Sequence, residues 1–354
     1  MIEKETEYIE MWGKNPVQIT IGESIDLISL KKNIVENFKG NVEKIKTSRQ
    51  KLYGGDLIPV LNCPVCGQSS EKAEEMFIIY SAKYVMCPHC SHRFVAETPN
   101  KKALETFYTT DTHYQKTYAD KRTTDVRVKQ VAVPKLEWVE KTYEMRYGRK
   151  PKRILDVGAG SGHFVQACLQ AGYEATGLEL SESGRDFCLE NFGFELENRD
   201  FLTEIYEDYD IVTLWGVIEH TPHPVKMLQA AKKALGVQGM VCVQTPHWNS
   251  VSTSIQQIFR STVVRHLDPL GHINVFTERS LEIAMEKAGF KVTAAWYLGM
   301  DSYELVMQLA AVLNDATVIY KLKDIIPTIQ KTLNTAKISD GIIFAGVPVL
   351  DSTS

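Results

Sequence analysis

The segment Ile154–Phe164 limits the fold of this 354-residue chain more than any other stretch of its sequence. A short strand candidate, Ile154–Val157, runs directly into three glycines spaced G-x-G-x-G, and a helix candidate begins at His163. Glycines permit a tight turn and let a ligand approach the backbone, while the first turn of a helix offers free N–H groups. The pattern therefore predicts a strand–turn–helix unit that binds a ligand at its turn.

The spacing of the glycines and the acid before them indicate which ligand to expect. Dinucleotide-binding turns have the spacing G-x-G-x-x-G, but here His163 stands where the third glycine would be. Asp156, just before the turn, would repel a pyrophosphate and attract an ammonium group. We therefore expect a ligand that carries an ammonium group and is not a dinucleotide.

Three residues further along the chain suit a nucleoside. Glu179 ends a second strand candidate, 23 residues after Asp156, where a carboxylate can accept hydrogen bonds from both hydroxyls of a ribose. Asp200 and Phe201 bring a carboxylate and an aromatic ring together, and this pair could bind an adenine amino group and stack on the base. These positions predict that the ligand at the glycine turn includes an adenine nucleoside.

Strand and helix patterns alternate from Arg153 onward, which predicts parallel βαβ units in a doubly wound, Rossmann-like α/β sheet. In such a sheet a ligand binds at the carboxyl ends of the strands, where the glycine turn and the acids lie. The strand candidates are Ile154–Val157, Ala175–Leu180, Ile211–Trp215, Met240–Gln244, Val292–Tyr297 and Ile342–Val349. Helical patterns cover His163–Ala171, Ser183–Asn191, Val225–Leu235 and the stretch from Thr277 to Lys287.

Two Cys-x-x-Cys pairs, Cys63/Cys66 and Cys87/Cys90, are separated by 20 residues. Each such turn directs two sulfurs at one point, and four thiolates match the tetrahedral coordination of a structural zinc ion. The apolar runs between the pairs suit a hairpin, so the sequence predicts a zinc ribbon in which protein fills all four coordination positions. Redox use of the pairs is the alternative, but a thioredoxin-like motif would open a helix inside a βαβ unit.

Charge and hydropathy exclude some classes of protein. Lys and Arg total 40 and Asp and Glu total 44, so the formal net charge of -4 argues against a broad electrostatic grip on nucleic acid. The longest apolar run, Leu305–Leu313, is much shorter than a membrane span, and the glutamate-rich N-terminus lacks the apolar core of a signal peptide. Seven cysteines without an export signal indicate reduced thiols or bound metal, so we expect a cytoplasmic protein.

The motif series resembles the nucleotide-binding half of the class I S-adenosylmethionine-dependent methyltransferases, over about residues 152–298. It comprises the glycine turn, Glu179, Asp200-Phe201 and the segment Asp210–His220. The resemblance implies a seven-stranded sheet and S-adenosylmethionine as the cofactor. The cysteine pairs ahead of this domain resemble the zinc site of methyltransferases that act on nucleotide-linked deoxysugars, although here about 60 residues precede the first cysteine.

The same resemblance implies which residues touch the cofactor. The glycine turn lies along its methionine end, Glu179 holds the ribose, and Asp200 and Phe201 face the edge and the plane of the adenine. Trp215 and Val217 lie beside the sulfonium, and two tyrosines of the preceding helical cap fold over the cofactor. The implied site is Asp156, Gly158, Ala159, Gly160, Gly162, Glu179, Leu180, Asp200, Phe201, Trp215, Val217, Tyr114 and Tyr118.

Two histidines are candidates for the general base that an acceptor hydroxyl or acidic carbon would need. His220 and His247 each follow a strand candidate, so both are expected at the rim where the active site opens. Glu219 could orient His220 as a carboxylate orients a catalytic imidazole. The alternative is that Glu219 and His220 cap the next helix or close the cofactor pocket.

We expect the chain to divide into four segments. The last of them carries insertions at about residues 247–275 and 301–337, and helical segments could pair two copies into a homodimer. The segments are an N-terminal helical segment (1–58, with an amphipathic pattern from Ser24 to Leu52), a zinc ribbon (59–98), a helical cap or linker (99–150) and the methyltransferase domain (151–350).

These features favour methyl transfer to a small molecule, such as a sugar, a nucleotide-linked sugar, or a glycan or other natural-product intermediate. RNA methylation with the ribbon as an RNA-binding module is one alternative. The net charge opposes it, and so does the sequence Trp215-Gly-Val-Ile at the position where enzymes that methylate base amino groups commonly carry an Asn-Pro-Pro-Tyr-like tetrapeptide. A non-catalytic, cofactor-binding scaffold is the second alternative.

Overall fold

The computed structural model describes residues 6–23, 25–30, 38–100, 102–104, 121–260 and 266–349. Its strands are β1 (Thr6–Trp12), β2 (Asn15–Ile21), β3 (Leu57–Pro59), β4 (Glu74–Ile79), β5 (Ala82–Met86), β6 (Arg93–Val95), β7 (Glu97–Pro99), β8 (Arg153–Val157), β9 (Glu174–Leu178), β10 (Tyr209–Trp215), β11 (Leu235–Pro246), β12 (Asn274–Val275), β13 (Phe290–Leu298) and β14 (Gly341–Pro348).

The helices lie between and after these strands, and a turn of π-helix (Val128–Ala132) joins α3 to α4. They are α1 (Leu27–Leu30), α2 (Phe38–Tyr53), α3 (Thr124–Arg127), α4 (Val133–Tyr147), α5 (His163–Gln170), α6 (Glu182–Phe192), α7 (Pro224–Ala234), α8 (Val251–Ile258), α9 (Glu278–Lys287), α10 (Asp301–Leu313), α11 (Thr317–Leu322) and α12 (Ile326–Thr335). Among the described residues, no helix combines the length and the apolar character that crossing a bilayer requires.

The doubly wound α/β fold is confirmed by a sheet of order β1-β2-β13-β14-β11-β10-β8-β9. Strands β8 to β11 run parallel, and β14 is antiparallel to both of its neighbours. Ile211 faces α4 and α5, whereas the adjacent Val212 faces α7 and α9, and both side chains are fully buried. Helices cover both faces, which is why the central strands are continuous apolar runs.

Within the described part of the chain, the sheet has eight strands, where the resemblance implied seven. The hairpin β1–β2 adds two strands at one edge, because β2 pairs in parallel with β13. At the opposite edge, the chain beyond β9 contributes only an isolated bridge between Leu178 and Glu197. The signal for β2 is the alternation of Val17, Ile19 and Ile21, which are 0–2% exposed.

The N-terminal segment is therefore only partly helical, contrary to the prediction for residues 1–58. The amphipathic pattern from Ser24 to Leu52 corresponds to the short α1 and to α2, which ends at Tyr53 just before Gly54. Residues 31–37 lie outside the described part of the chain. The first 21 residues have a period-2 pattern and form strands, because β2 pairs with β13, almost 280 positions further along the chain.

The cysteine-containing segment forms a small sheet of order β12-β6-β5-β4. Its last strand, β12, comes from beyond residue 273, so the α/β domain completes the sheet of the ribbon. Cys63, Cys87 and Phe94 share one hydrophobic core with Phe276 and Tyr297. The ribbon is thus packed into the α/β domain and is not suspended from it by a linker.

Buried polar groups join helices α10 and α12 of the second predicted insertion to the start of the inner strand β14. Asp301 accepts hydrogen bonds from the backbone N–H groups of Ser252 (2.9 Å) and Asp340 (2.8 Å), and from the Gln330 amide (3.2 Å). Asp301 and Gln330 are both fully buried. One carboxylate therefore ties α8, α12 and the start of β14 together.

We predict that Asp301→Ala lowers the free energy of unfolding by roughly 3 kcal/mol or more, because it leaves several buried donors without an acceptor. Denaturant unfolding followed by circular dichroism measures the change. Asp324→Ala, an exposed aspartate in the same insertion, is the control and should unfold like the wild type. Equal midpoints for the two variants would contradict this view of the Asp301 contacts.

Candidate functional site

The glycine turn between β8 and α5 has a left-handed backbone at all three glycines, with φ of 71° at Gly158, 57° at Gly160 and 77° at Gly162. A Cβ at Gly158 would lie 2.8 Å from Val217 Cγ2, and one at Gly162 would lie 2.5 Å from Cys188 Sγ. At Gly160, no described atom lies within 4 Å of that position. The turn is packed at both ends and open in the middle, which leaves room for a ligand at Gly160.

Glu179 lies against this turn. Its carboxylate accepts hydrogen bonds from the backbone N–H of Gly160 (2.7 Å) and of Ser181 (2.7 Å). Gly184 allows the close approach of α6, because a Cβ there would lie 2.6 Å from the Gly160 carbonyl oxygen. The acid that the sequence pairs with a ribose is therefore adjacent to the open part of the turn, and Leu180 beside it is 65% exposed.

The predicted adenine residues lie at the same edge of the sheet. The Glu179 N–H donates to the Glu197 carbonyl oxygen at 3.0 Å. This hydrogen bond places the segment that leads to Asp200 beside the end of β9. Asp200 is exposed, and it accepts a hydrogen bond from the Leu202 N–H at 2.9 Å. Phe201 is 5% exposed and packs against Tyr206 at a centroid distance of 5.8 Å, so its ring belongs to the core beneath this edge.

Three ionisable side chains gather under the glycine turn. Asp156 is buried, which raises its pKa to about 7, and it accepts a hydrogen bond of 2.7 Å from Thr213 Oγ1. Burial also raises the pKa of Glu219. Lys135, near the start of α4, has its pKa lowered to about 8 by desolvation, while attraction to Asp156 and Glu219 favours its charged form.

Lys135 was not predicted from the sequence. Its ammonium lies 4.6 Å from the centroid of the Trp215 ring, over a residue that was predicted to touch the cofactor. No motif marks this lysine, because it comes from a helix that precedes the glycine turn by about 20 residues. It lies next to Leu136 and four residues before Val139, both of which are buried in the core, so the sequence around it indicates a packed helix and not a binding site.

Two buried polar atoms near these charges lack a hydrogen-bond partner among the described residues: Trp215 Nε1, a donor, and Glu219 Oε2, an acceptor. Such atoms are unfavourable unless a ligand or water satisfies them. The methionine end of S-adenosylmethionine is a zwitterion, whose carboxylate can accept from Trp215 and Lys135 and whose ammonium suits Asp156 or Glu219. The residues present therefore fit this cofactor.

His220 is held by the backbone and not by Glu219. Its Nδ1 donates to the Gly271 carbonyl oxygen at 2.7 Å, a contact that assigns the proton to Nδ1 and the lone pair to Nε2. Glu219 Oε1 lies 3.9 Å from Nε2, too far for a hydrogen bond and on the wrong nitrogen for an orienting role. Glu219 therefore does not orient the His220 imidazole through a hydrogen bond, contrary to its predicted role.

His247 does not reach the site. Its side chain is 0% exposed, its Nδ1 donates to the Ser339 carbonyl oxygen at 3.0 Å, and its Nε2 lies 4.0 Å from Glu278 Oε2. Burial lowers its pKa. The residue follows β11 as expected, but a bridge to Phe276 turns it into the core, so the structure does not support it as the base.

Tyr114 and Tyr118 lie outside the described residues, so their contact with the cofactor stays a prediction.

The four cysteines Cys63, Cys66, Cys87 and Cys90 form a cluster in which the sulfurs lie within 4.8 Å of one another. The Cys63–Cys90 and Cys66–Cys87 pairs are each 3.5 Å apart. Burial raises the pKa of the Cys66 thiol to about 11. Four soft sulfur donors with this spacing fit a tetrahedral zinc ion. A second group, Glu219, His220 and His272, also has one potential ligand atom each within 4.8 Å.

Comparison with known proteins shows which family part of the chain is similar to. Residues 135–295 match the family model described as a methyltransferase domain. A ubiquinone biosynthesis O-methyltransferase from Bordetella avium (strain 197N) is 28% identical over 195 residues, which cover 52% of this chain and 79% of that protein. The protein of the same name from Hydrogenovibrio crunogenus (strain DSM 25203 / XCL-2) is 31% identical over 149 residues, covering 39% and 61%.

Solved structures of low sequence identity are also similar. Magnesium protoporphyrin IX methyltransferase (ChlM) from Synechocystis PCC 6803, with bound SAH, is 12% identical with a TM-score of 0.46, covering 71% of this chain and 100% of that one. The plantazolicin methyltransferase BamL, in complex with a substrate analog and SAH, is 13% identical with a TM-score of 0.44, covering 69% and 94%. The family match over residues 135–295 and the curated relatives identify a methyltransferase domain in this part of the chain.

Proposed function

We propose that this enzyme transfers the methyl group of S-adenosylmethionine to a hydroxyl oxygen of a small molecule, with His220 as the general base. The observation that carries the proposal is the fixed tautomer of His220, whose Nδ1 donates to the Gly271 carbonyl oxygen so that Nε2 carries the lone pair. The imidazole is 37% exposed, so an acceptor can reach it.

The position of His220 relative to the glycine turn supports this role. Its backbone N–H donates to the Val217 carbonyl oxygen at 3.1 Å, and Val217 packs against Gly158. His220 therefore follows Val217, the residue that packs against the glycine turn, by three residues in the same turn. When bound, S-adenosylmethionine supplies an electrophilic methyl group and its own leaving group, so the protein has to align the acceptor and remove its proton.

Lys135, Trp215 and Glu179 would hold the two ends of the cofactor. The Lys135 ammonium and the Trp215 indole N–H are donors for the methionine carboxylate, and Glu179 accepts from the ribose hydroxyls. Phe201 would stack on the adenine ring once the core at this edge opens to admit that ring. We infer further that Cys63, Cys66, Cys87 and Cys90 hold a structural zinc ion with no open coordination position.

The acceptor proposed here is a hydroxylated small molecule of the sugar or nucleotide-linked-sugar class, as the resemblance of the cysteine site suggests. The curated relatives are named for ubiquinone biosynthesis and not for sugars, and their names support oxygen as the acceptor atom. RNA is a weaker candidate, because β6 of the ribbon pairs with β12 and its core is shared with the α/β domain. A panel of sugar nucleotides, phenols and RNA, assayed with labelled cofactor, compares these classes.

We predict that His220→Gln lowers kcat by roughly 100-fold or more, the usual contribution of a general base. The affinity for S-adenosylmethionine, measured by calorimetry, should stay within about twofold, because the hydrogen bonds of His220 go to Val217 and Gly271 and not to residues of the glycine turn. His223→Gln is the matched control, since His223 is an exposed histidine in the same segment. Full activity in His220→Gln would remove His220 from the mechanism.

We predict that Gly160→Ala raises the Kd for S-adenosylmethionine at least about tenfold, because the new methyl group projects into the open part of the turn. The left-handed conformation adds a strain of about 1–2 kcal/mol. Gly193→Ala controls for that strain, since Gly193 has φ of 77° and also has no described atom near its Cβ position. If both variants bind the cofactor equally well, the ligand does not lie at Gly160.

We predict that Lys135→Met raises the Kd for S-adenosylmethionine by roughly 10- to 100-fold, the value of a charge-assisted hydrogen bond. Because the pKa of Lys135 is about 8, raising the pH from 7 to 9 removes its charge. The wild-type Kd should therefore rise more steeply over this range than the Kd of Lys135→Met, as calorimetry at each pH would measure.

Lys141→Met is the control for this experiment, because Lys141 lies on the same helix and pairs with Glu7 at the surface. Its pH profile should match that of the wild type. Parallel profiles for the wild type and Lys135→Met would mean that Lys135 does not bind the cofactor.

A further inference from the structure

We infer that the four-cysteine ribbon positions His220, and that Asn274 and His92 form the link between them. This inference rests on the proposed role of His220 as the base. We call residues 218–221 the base segment, because they include His220 and the residues on either side of it.

Asn274 belongs to two parts of the molecule at once. It is fully buried in β12, which pairs with β6 of the ribbon in the register Asn274 with Phe94 and Val275 with Arg93. By sequence, however, it lies in the α/β domain, just before the capping residue Thr277 of α9. The backbone of the ribbon and the backbone near the active site therefore share a strand pair.

The side chain of Asn274 holds the base segment. Its Nδ2 donates to the Thr221 carbonyl oxygen at 2.8 Å and lies 3.5 Å from the Ile218 carbonyl oxygen. Its backbone N–H donates to the Glu219 carbonyl oxygen at 3.1 Å. Carbonyls on both sides of His220 are thus fixed by one residue, which leaves the base segment little freedom to shift.

His92 sets the orientation of the Asn274 amide. The His92 Nε2 lies 3.0 Å from Asn274 Oδ1, and since an amide oxygen can only accept, the imidazole donates. If the amide were reversed, Oδ1 would face the Thr221 carbonyl oxygen, and two acceptors would repel each other. The Thr221 carbonyl therefore selects this amide orientation, and a buried histidine of the ribbon holds the amide in it.

His92 is in turn placed by the second cysteine turn. The Cys87 N–H donates to the His92 carbonyl oxygen at 2.9 Å, and the Ser91 N–H donates to the Cys87 carbonyl oxygen at 2.9 Å. Ser91 has a left-handed backbone, with φ of 56°, and this turn carries Cys87 and Cys90. A metal ion that fixes these two sulfurs also fixes the residue that orients Asn274.

The imidazole of His220 depends on the ribbon by a second route. Its acceptor, the Gly271 carbonyl, lies in a loop that the ribbon binds on its other side. The Val95 N–H donates to the Ile273 carbonyl oxygen at 2.9 Å, and the Tyr84 hydroxyl donates to the His272 carbonyl oxygen at 2.8 Å. Backbone and side chain of the base are thus both held by groups attached to the ribbon.

The glycine turn has different supports. Its hydrogen bonds come from Glu179 and from the Leu178 carbonyl, in and after β9, and its close packing comes from Val217 and Cys188. Val217 adjoins the base segment, but the supports from β9 and from Cys188 lie outside both that segment and the ribbon, so a disturbance of the ribbon should displace His220 more than the glycine turn. A change at His92 should therefore affect hydrogen exchange in the base segment and kcat more than it affects cofactor binding.

The test compares His92→Ala, His92→Gln and the control His89→Ala, which alters an exposed histidine of the same cysteine turn. All are measured as full-length, zinc-loaded protein. We expect His92→Ala to raise the amide hydrogen-exchange rate of the base segment by at least about tenfold and to lower kcat by a similar factor. Calorimetry should show the Kd for S-adenosylmethionine within about twofold of the wild type.

His92→Gln should restore most of the protection, because its side-chain amide can donate to the same oxygen, and His89→Ala should behave as the wild type. If His92→Ala does not fold, Asn274→Asp tests the same link, since it keeps the acceptor for His92 and places an oxygen against the Thr221 carbonyl. Wild-type exchange in the base segment of either folded variant would overturn the inference.

Removing zinc from the wild type with a chelator gives an independent readout, and exchange in the base segment should rise before exchange around Gly160 does. Simultaneous loss of protection at both places would also overturn the inference. If no acceptor is methylated by the wild type, the proposed role of His220 fails while the exchange results still decide whether the ribbon positions this segment.

Discussion

The site depends on the contact between two chain segments that leave neighbouring parallel strands, β8 and β10. Gly158 and Val217 approach so closely that a Cβ on Gly158 would lie 2.8 Å from the valine methyl. Only a glycine permits this approach, and its left-handed backbone at the same point turns the chain into α5. The parallel register of Ile154 with Ile211 then brings the cofactor turn and the segment of His220 to one edge of the sheet.

Burial of charge gives this edge its chemical character. Asp156 and Glu219 are each 2% exposed, and removing their carboxylates from water raises both pKa values. A raised carboxyl pKa means that the folded state loses stability as the pH rises from the unfolded value of about 4 toward 7, where Asp156 ionises. The chain keeps these acids beside Lys135 despite that penalty, which is common where charge serves binding or catalysis.

Local patterns predicted the parts of the molecule that depend on local chemistry. The glycine turn, Glu179 and the cysteine pairs could be read from spacing, because each is a short turn whose geometry is set by neighbours in sequence. The hairpin β1–β2 was not predicted, because the alternation of Val17 and Ile19 forms a strand through pairing with β13, which is distant in sequence. Lys135 carries no motif, and its position depends on how α4 packs over the sheet.

Burial was the other property that sequence could not supply. His220 and His247 both follow strands at the same edge, yet one is 37% exposed and the other is enclosed. The difference arises because His247 bridges to Phe276 and bonds to Ser339, contacts across about 30 and 90 residues of chain. The hydrogen bond between His92 and Asn274 joins residues 182 positions apart, so local sequence patterns could not predict it either.

The most direct measurement is a crystal structure of the full chain grown with S-adenosylhomocysteine. We predict density for the nucleoside against Gly160, with its ribose hydroxyls on Glu179 and its carboxylate within reach of Lys135 and Trp215. An empty glycine turn at a saturating concentration of this ligand, or the nucleoside bound elsewhere, would contradict the account.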